Sequence, residues 1–280
     1  MKNDSKIVVI SGASSGIGYA TVERLGKMGN LIFAGARKED DIVNLTSMEN
    51  VQGVKLDITC PEDIAALAWH IEENIGYIDV LINNAGIPGW GAIMDREIDY
   101  FKQVMEVNLF GHVQMVKAFY PLLRASKSSP IIINISSQAG NYAFPFWSPY
   151  HMSKWALEAF SDCLRRELLP LGIRVAIIQP GAIKSAAFES QRDDFVWYKG
   201  QPASEFNSRA VALLQAAFER PDNKAKEPQV FVNAILHAIY HDNNKLYYQP
   251  GRRLIPDILV AKLPQKLVDR FFMKMSTTEA

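Results

Sequence analysis

The stretch Lys6-Ile-Val-Val-Ile10, continued by Ser11-Gly12-Ala13-Ser14-Ser15-Gly16-Ile17-Gly18, decides the fold. The short apolar, β-branched run Ile7–Ile10 reads as a strand covered on both faces, and the glycines after it read as a turn opening a helix. Gly12 permits the tight bend, Gly16 lets backbone N–H groups approach a pyrophosphate, and Gly18 allows close helix–strand packing. The helix N-terminus then offers partial positive charge to phosphates, with Ser14, Ser15 and Ile17 beside it in the turn. The spacing is Gly-x-x-x-Gly-x-Gly rather than the general Gly-x-Gly-x-x-Gly. Many strand–helix turns use glycine for geometry alone. Placement after the very first strand is what favours a dinucleotide.

Working outward, further apolar runs read as strands: Leu31–Ala34, Val51–Leu56, Val80–Ile82, Ile131–Ile135, Val175–Gln179 and Leu246–Tyr248. Helical signals lie between them. After Cys60, Pro61 suits the first helical position, Glu62 and Asp63 complement the dipole, and Gly76 closes the segment. Alternating strands and helices predict one Rossmann-type domain over residues 1–280, a doubly wound parallel sheet of about seven strands with helices on both faces. Residues 182–227 read as an irregular, aromatic substrate lid or insertion, and residues 252–280 as a tail.

Lys plus Arg and Asp plus Glu number 30 each, so the net charge of zero gives no bulk attraction to nucleic acid. The two cysteines, Cys60 and Cys163, lack metal-ligand spacing and read as free thiols. No apolar run is long enough to cross a bilayer, and the expected location is cytoplasmic.

The second strand ends without the acidic residue that binds a ribose 2′-hydroxyl in NAD binders, and Arg37-Lys38 follows. Two cations suit a 2′-phosphate, which favours NADP over NAD; a solvated loop of mixed charge, with Glu39, Asp40 and Asp41 next, is the plainer reading. Tyr150-His-Met-Ser-Lys154 sets a phenol and an ammonium one helical turn apart. An ammonium ~4 Å away contributes about 4 kcal/mol at an effective dielectric of ~20. That is roughly 3 pKa units, enough to bring a phenol of pKa ~10 close to 7. Ser136 and Ser137 end the fifth strand, and Asn83-Asn84-Ala85-Gly86 follows the fourth, both at the sheet edge where ligands bind. Polar strand caps and an ordinary Asn/Gly turn are their plainer readings. Asn108 interrupts an apolar helical pattern, which a helix distortion or a satisfied buried amide would also explain.

Together these motifs resemble the short-chain dehydrogenases/reductases. The glycine turn, Asn83-Asn84-Ala85-Gly86, Asn108, Ser137, Tyr150 with Lys154, and Pro180-Gly181 occur in family order and at family-like separations. The resemblance covers about residues 6 to 185. It implies that Tyr150 exchanges a proton with the substrate oxygen and that Lys154 lowers the tyrosine pKa and bonds the nicotinamide ribose. Ser137 would hold the substrate oxygen, and Asn108 would position a water in a proton relay. Asp57 would meet the adenine, Asn84 and Gly86 would line the cofactor, and Pro180, Gly181 and Ile183 would flank the nicotinamide. Ser11 and Ser185 stand where the family often has threonine, and both keep a hydroxyl. The family also implies a homodimer or homotetramer. Its rival is a catalytically silent NADP-binding regulator or scaffold on the same fold, against which the intact tetrad argues.

Trp90, Tyr142, Phe144, Phe146 and Trp147, with the lid aromatics Phe188, Phe195, Trp197, Tyr198 and Phe206, suggest a bulky apolar alcohol or ketone as substrate. The same rings read equally well as the lid's own core. Gly35-Ala-Arg37, the segment 181–190 and the tail look similar to hydroxysteroid and retinol dehydrogenases. The tail mixes apolar with basic residues and could lie on a membrane surface, although Pro256 and Pro264 favour packing on protein. His237 and His241 have an i, i+4 spacing but no third ligand, so no catalytic metal is expected.

Overall fold

In the computed structural model, residues 5–183, 195–202, 204–218, 225–241, 245–250 and 263–277 are described. The apolar runs form seven strands: β1 (Ile7–Ile10), β2 (Leu31–Ala36), β3 (Val51–Lys55), β4 (Val80–Asn83), β5 (Ile131–Ile135), β6 (Arg174–Ile178) and β7 (Tyr247–Tyr248). They pair in parallel in the order β3-β2-β1-β4-β5-β6-β7. Parallel pairing needs a crossover between successive strands, and the right-handed crossovers place helices on both faces. The helices are α1 (Gly16–Gly26), α2 (Glu39–Thr46), α3 (Pro61–Asn74), α4 (Ile98–Met105), α5 (Gly111–Ala125), α6 (Ser148–Leu168), α7 (Asn207–Phe218), α8 (Pro228–Tyr240) and α9 (Gln265–Thr277).

Side chains on a strand alternate faces, and the β-branched runs supply apolar groups to each. Val8, Ile10, Ile32, Ile82, Ile133 and Ile178 pack with Val22 and Leu25 of α1 and Phe231 and Ile235 of α8. Val9, Phe33, Leu81, Ile132 and Val175 pack with Ile71 of α3, Phe119 of α5 and Leu168 of α6. A third cluster stands apart from the sheet, joining Trp90, Phe195, Tyr198, Ala210 and Leu214.

Crossovers run one way from β1 through β2 to β3 and the other way from β4 to β7. The order reverses between β1 and β4, which are paired at Ile10–Ile82. In such sheets ligands take the crevice beyond the carboxyl ends of the strands at this reversal. Beside it, β4 and β5 are locked by a buried polar chain. Asn83 Nδ2 donates to Asn134 Oδ1 at 2.9 Å, and Asn134 Nδ2 donates to Ser161 Oγ of α6 at 2.8 Å. That chain fixes the height of α6 against the sheet.

Among the described residues, no helix is long and apolar enough to cross a membrane. Of the tail, residues 263–277 are described; Val268 of α9 is buried, and α9 packs against α7. Pro256 lies outside the described residues.

Candidate active site

Gly12 and Gly16 both adopt the left-handed region, at φ 65° and 58°, so the turn reverses twice before α1 begins. A Cβ on Gly12 would lie 2.6 Å from Ala85 Cα; one on Gly18 would collide with the Gly12 carbonyl oxygen and lie 2.6 Å from Asn84 Nδ2. This close approach, which only glycine permits, makes the cradle. Ser11 Oγ accepts N–H bonds from Asn84 and Ala85, and Asn84 Nδ2 donates to the carbonyls of Ser11 and Gly12 at 3.1 and 2.8 Å. Asn84 therefore pins the turn to the end of β4, at the edge of the cradle. Ser14 is exposed, and Ser15 sits at the N-cap of α1 with its side chain making no cap bond. The first turn of α1 holds no acidic residue. Its N–H groups and dipole suit an anionic phosphate pair, so the residues present fit a dinucleotide. Ile17 is buried in the core, which leaves its main chain alone for that task.

Beyond β2, Arg37 is exposed and acts on the Asp57 carboxyl. Burial pushes Asp57 up, but two hydrogen bonds from Thr59 and then the Arg37 and Lys55 charges more than offset it. Asp57 is left below its ordinary value, as an anion.

At the other end, α4 passes into α5 through a π-helical turn over Glu106–Phe110. Asn108 lies in it, fully buried. Its Oδ1 accepts from Ile87 N–H at 2.8 Å, and its Nδ2 donates to Ile87 O at 2.9 Å and Ser153 Oγ at 3.0 Å. Both readings of this residue hold: the helix is distorted, and the buried amide is satisfied. Gly86 lies alongside, where a Cβ would stand 3.3 Å from Asn108 Oδ1 and 3.7 Å from Lys154 Nζ. Pro180 accepts a hydrogen bond from Gln138 N–H at 3.0 Å, and Gly181 follows it. Ile183 forms a bridge with Lys226, and Ser185 lies outside the described residues.

Tyr150 and Lys154 sit one turn apart on α6, with the ammonium 5.7 Å from the phenol ring centroid. Lys154 is buried and donates to Ile135 O at 3.0 Å. Burial pushes its pKa down to about 8, with the Glu158 carboxylate acting the other way. The Tyr150 phenol is pushed up from its ordinary value by burial, while a hydrogen bond with Ser137 pulls it down. The phenol therefore lies above its ordinary value rather than close to 7 as the Tyr150–Lys154 spacing alone predicts, because desolvation is the larger effect in the folded protein. Asn108, Ser137, Tyr150 and Lys154 are nonetheless drawn together at one end of the crevice.

Three buried groups escaped the sequence reading. Asn134 and Ser161 build the lock already described. His112 of α5 is buried, with Nε2 2.8 Å from Ala85 O, and burial and then the Lys154 charge depress its pKa to about 3. Its partners lie tens of residues away along the chain, so spacing carried no signal. The rings of His237 and His241 stack at 4.2 Å, and His237 Nδ1 lies 2.9 Å from the Tyr248 hydroxyl.

The aromatic residues divide. Trp90, Tyr198 and Phe195 are buried in the third core, with Trp147 edge-on to Trp90 at 5.3 Å, so these rings pack on one another. Phe144 and Phe146 line a cavity of about 800 Å³ with Met152, Trp155, Val268 and Met273.

The short chain dehydrogenase profile matches residues 6–195. Mitochondrial D-beta-hydroxybutyrate dehydrogenase of Bos taurus is 37% identical over 187 residues, 63% of this chain and 54% of that enzyme. The chain thus spans about half the length of such curated relatives. A short-chain dehydrogenase of Streptomyces avermitilis superposes with a TM-score of 0.79 at 25% identity, covering 99% of both chains. A variant of actinorhodin polyketide ketoreductase, solved with NADPH, superposes with a TM-score of 0.74 at 27% identity, covering 89% of this chain and 95% of that one. With the profile spanning well over half of its residues, the chain belongs to the short chain dehydrogenase family.

Proposed function

We propose that the protein is an NADP(H)-dependent oxidoreductase interconverting an alcohol and a ketone or aldehyde on a bulky apolar substrate. The observation that carries this reading is the convergence of Tyr150, Ser137, Lys154 and Asn108 beside a glycine cradle that fits a dinucleotide. When bound, the nicotinamide dinucleotide supplies or accepts the hydride and, oxidised, adds positive charge near the phenol. Tyr150 gives its proton from the phenol oxygen to the carbonyl oxygen in reduction, or takes it from the alcohol in oxidation. A phenol raised by burial is fully protonated at neutral pH, which suits the reductive direction. The Ser137 hydroxyl, bonded to Tyr150, holds the substrate oxygen. Lys154 spends one donor on Ile135 O, leaving two for the ribose and for a proton relay past Asn108. Arg37 takes the 2′-phosphate, which favours NADP over NAD.

The half-exposed apolar residues Phe110, at the mouth of α5, and Met152 and Trp155, on α6, support a homodimer or homotetramer paired through these helices. The aromatic residues of the loop before α6, Tyr142, Phe144, Phe146 and Trp147, support a bulky apolar substrate of the ketone, steroid or retinoid kind.

The test is Tyr150→Phe, assayed by NADPH oxidation across a panel of ketones, steroids and retinoids. Turnover should fall by about 10³-fold, within the usual range for losing a proton donor, while NADPH binding followed by fluorescence stays as in wild type. Unchanged turnover would sink the proposed role of Tyr150. Wild-type binding of NADPH with no turnover on any substrate would instead favour the silent regulator.

A further inference from the structure

His151 follows Tyr150 on α6 and is buried, yet the proton chemistry above does not use it. Both of its ring nitrogens are engaged by the loop between β5 and α6. Nδ1 lies 2.8 Å from Ala139 O, and the Phe144 N–H donates to Nε2 at 3.1 Å. A carbonyl only accepts and an amide N–H only donates, so this pair of partners suits a neutral imidazole with its proton on Nδ1, while the Tyr142 carbonyl also lies within reach of the ring. The ring is also packed by the loop, edge-on to Phe144 at 5.9 Å and tilted against Tyr142 at 6.2 Å.

The Ala139 peptide passes this constraint on. Its carbonyl receives the His151 proton, and its N–H donates to Ser137 Oγ at 3.1 Å. Ser137 in turn is hydrogen-bonded to Tyr150. Between Ser137 and Trp147 the chain has one short 3-10 turn, Gln138–Gly140, and Phe146 is held at φ 67°. A loop with so little regular structure needs an outside brace to hold a hydroxyl within a fraction of an ångström.

Resting on the oxidoreductase reading, we propose that His151 is a positioning residue: its neutral imidazole braces the loop 137–147 at Ala139 and Phe144 and so sets Ser137 against Tyr150. Protonation would put a second N–H opposite the Phe144 N–H and break the brace. Burial holds the ring below its usual range, partly offset by bonds to the Ala139 and Tyr142 carbonyls, so it is neutral at pH 7. The charged and titratable groups around it are Tyr142 from the loop, Tyr150 and Lys154 on α6, and Arg209 of α7 and Asp269 of α9, which line the same cavity. The bracing is complete above about pH 6.5, the ordinary histidine value, and is lost as pH falls through the lower value of the folded protein.

The experiment compares His151→Phe, which keeps a ring but loses both bonds, with His151→Gln, which keeps a donor and an acceptor but does not titrate. With a ketone that wild type reduces, His151→Phe should lower kcat/KM by about tenfold, the scale of a lost hydrogen bond, without changing the NADPH KM. His151→Gln should recover most of that loss and remove the acid limb of the kcat/KM profile that His151 contributes. Equal damage from both variants, with the acid limb intact, would reduce His151 to a packing residue and overturn the proposal. So would wild-type kinetics in both. A readout independent of turnover is the ¹⁵N shift of the His151 ring in the full chain. A neutral Nδ1–H tautomer at pH 7 supports the brace, and an Nε2–H tautomer or a cation overturns it even if no ketone is ever reduced.

Discussion

On the cofactor side, Gly12 and Gly18 press against main-chain atoms of Ala85 and Gly12, and the Asn84 side-chain amide bonds the carbonyls of the turn. On the lid side, Trp90, Arg96, Asp95 and Tyr198 meet through side chains. Arg96 donates to Trp90 O at 2.7 Å and lies over the rings of Tyr100, Trp197 and Tyr198 at 4.1, 4.8 and 5.1 Å. Asp95 accepts hydrogen bonds from the Tyr198 and Ser204 hydroxyls. Main-chain contact dictates residue type, because one added carbon collides with backbone that cannot rotate away. Side-chain contact does not, since many sets of rings and charges fill a given space. The first side should therefore be brittle and the second forgiving.

The largest effect is expected from Gly18→Ala. Its Cβ would strike the Gly12 carbonyl, and displacing that turn costs about 1–3 kcal/mol. Read as NADPH affinity by calorimetry, this is a loss of roughly 5- to 150-fold. Binding as in wild type would mean the turn yields easily, and the contrast between the two sides would fail.

His112 sharpens the comparison by testing the seam beneath Ala85 and Gly86. Its folded pKa of about 3 lies below the ordinary 6.5, so the unfolded chain takes up the proton first as pH falls. The stability it contributes is complete above pH 6.5 and is lost between 6.5 and about 3. The slope is on the order of 1.4 kcal/mol per pH unit for this single proton. Denaturant unfolding of His112→Leu should show that slope removed; an unchanged acid dependence would place the loss elsewhere.

Arg37→Asp probes the same side at its exposed rim, where no backbone collision operates. It should weaken NADPH and favour NADH, shifting the kcat/KM ratio by about tenfold or more, on the scale of a charge-assisted hydrogen bond. If wild type already oxidises NADH alone, the assignment of Arg37 is wrong. Smallest of all should be Arg96→Met on the lid side, which removes stacked cation contacts worth about 0.5–2 kcal/mol. Rising susceptibility of the lid to proteolysis, with NADPH binding intact, would be its signature. A loss of cofactor binding here would merge two regions that the comparison separates.

The same difference explains what could be read from the sequence. β1 and β5 were bounded to the residue, because continuous β-branched runs admit one structure there. The glycine turn was legible for the reason that it is brittle. Asn108 was noticed through its misfit in an apolar helix, though not its two partners at Ile87 and Ser153. Whether Trp90 and Tyr198 face substrate or each other could not be decided, since both environments want large rings. The Tyr150 pKa went astray for a related reason: spacing reports which charge is near, and burial is a property of the assembled fold. His112, Asn134 and Ser161 were invisible because their partners come from distant strands.

The wide turn at Glu106–Phe110 has a consequence for how this chain tolerates shortening. A π-turn holds one more residue than the α-helical turn it replaces. Excising Leu109 would let α4 run into α5 as one regular rod, with Met115 and Phe119 keeping their places beneath the sheet. Most helices answer a single deletion by rotating everything downstream out of register. Here the fold should survive with the melting temperature lowered by several degrees, the cost of stranding the buried Ile87 groups, while Asn108 loses its reach to Ile87 and turnover disappears, a deletion that silences the chemistry and leaves the architecture standing.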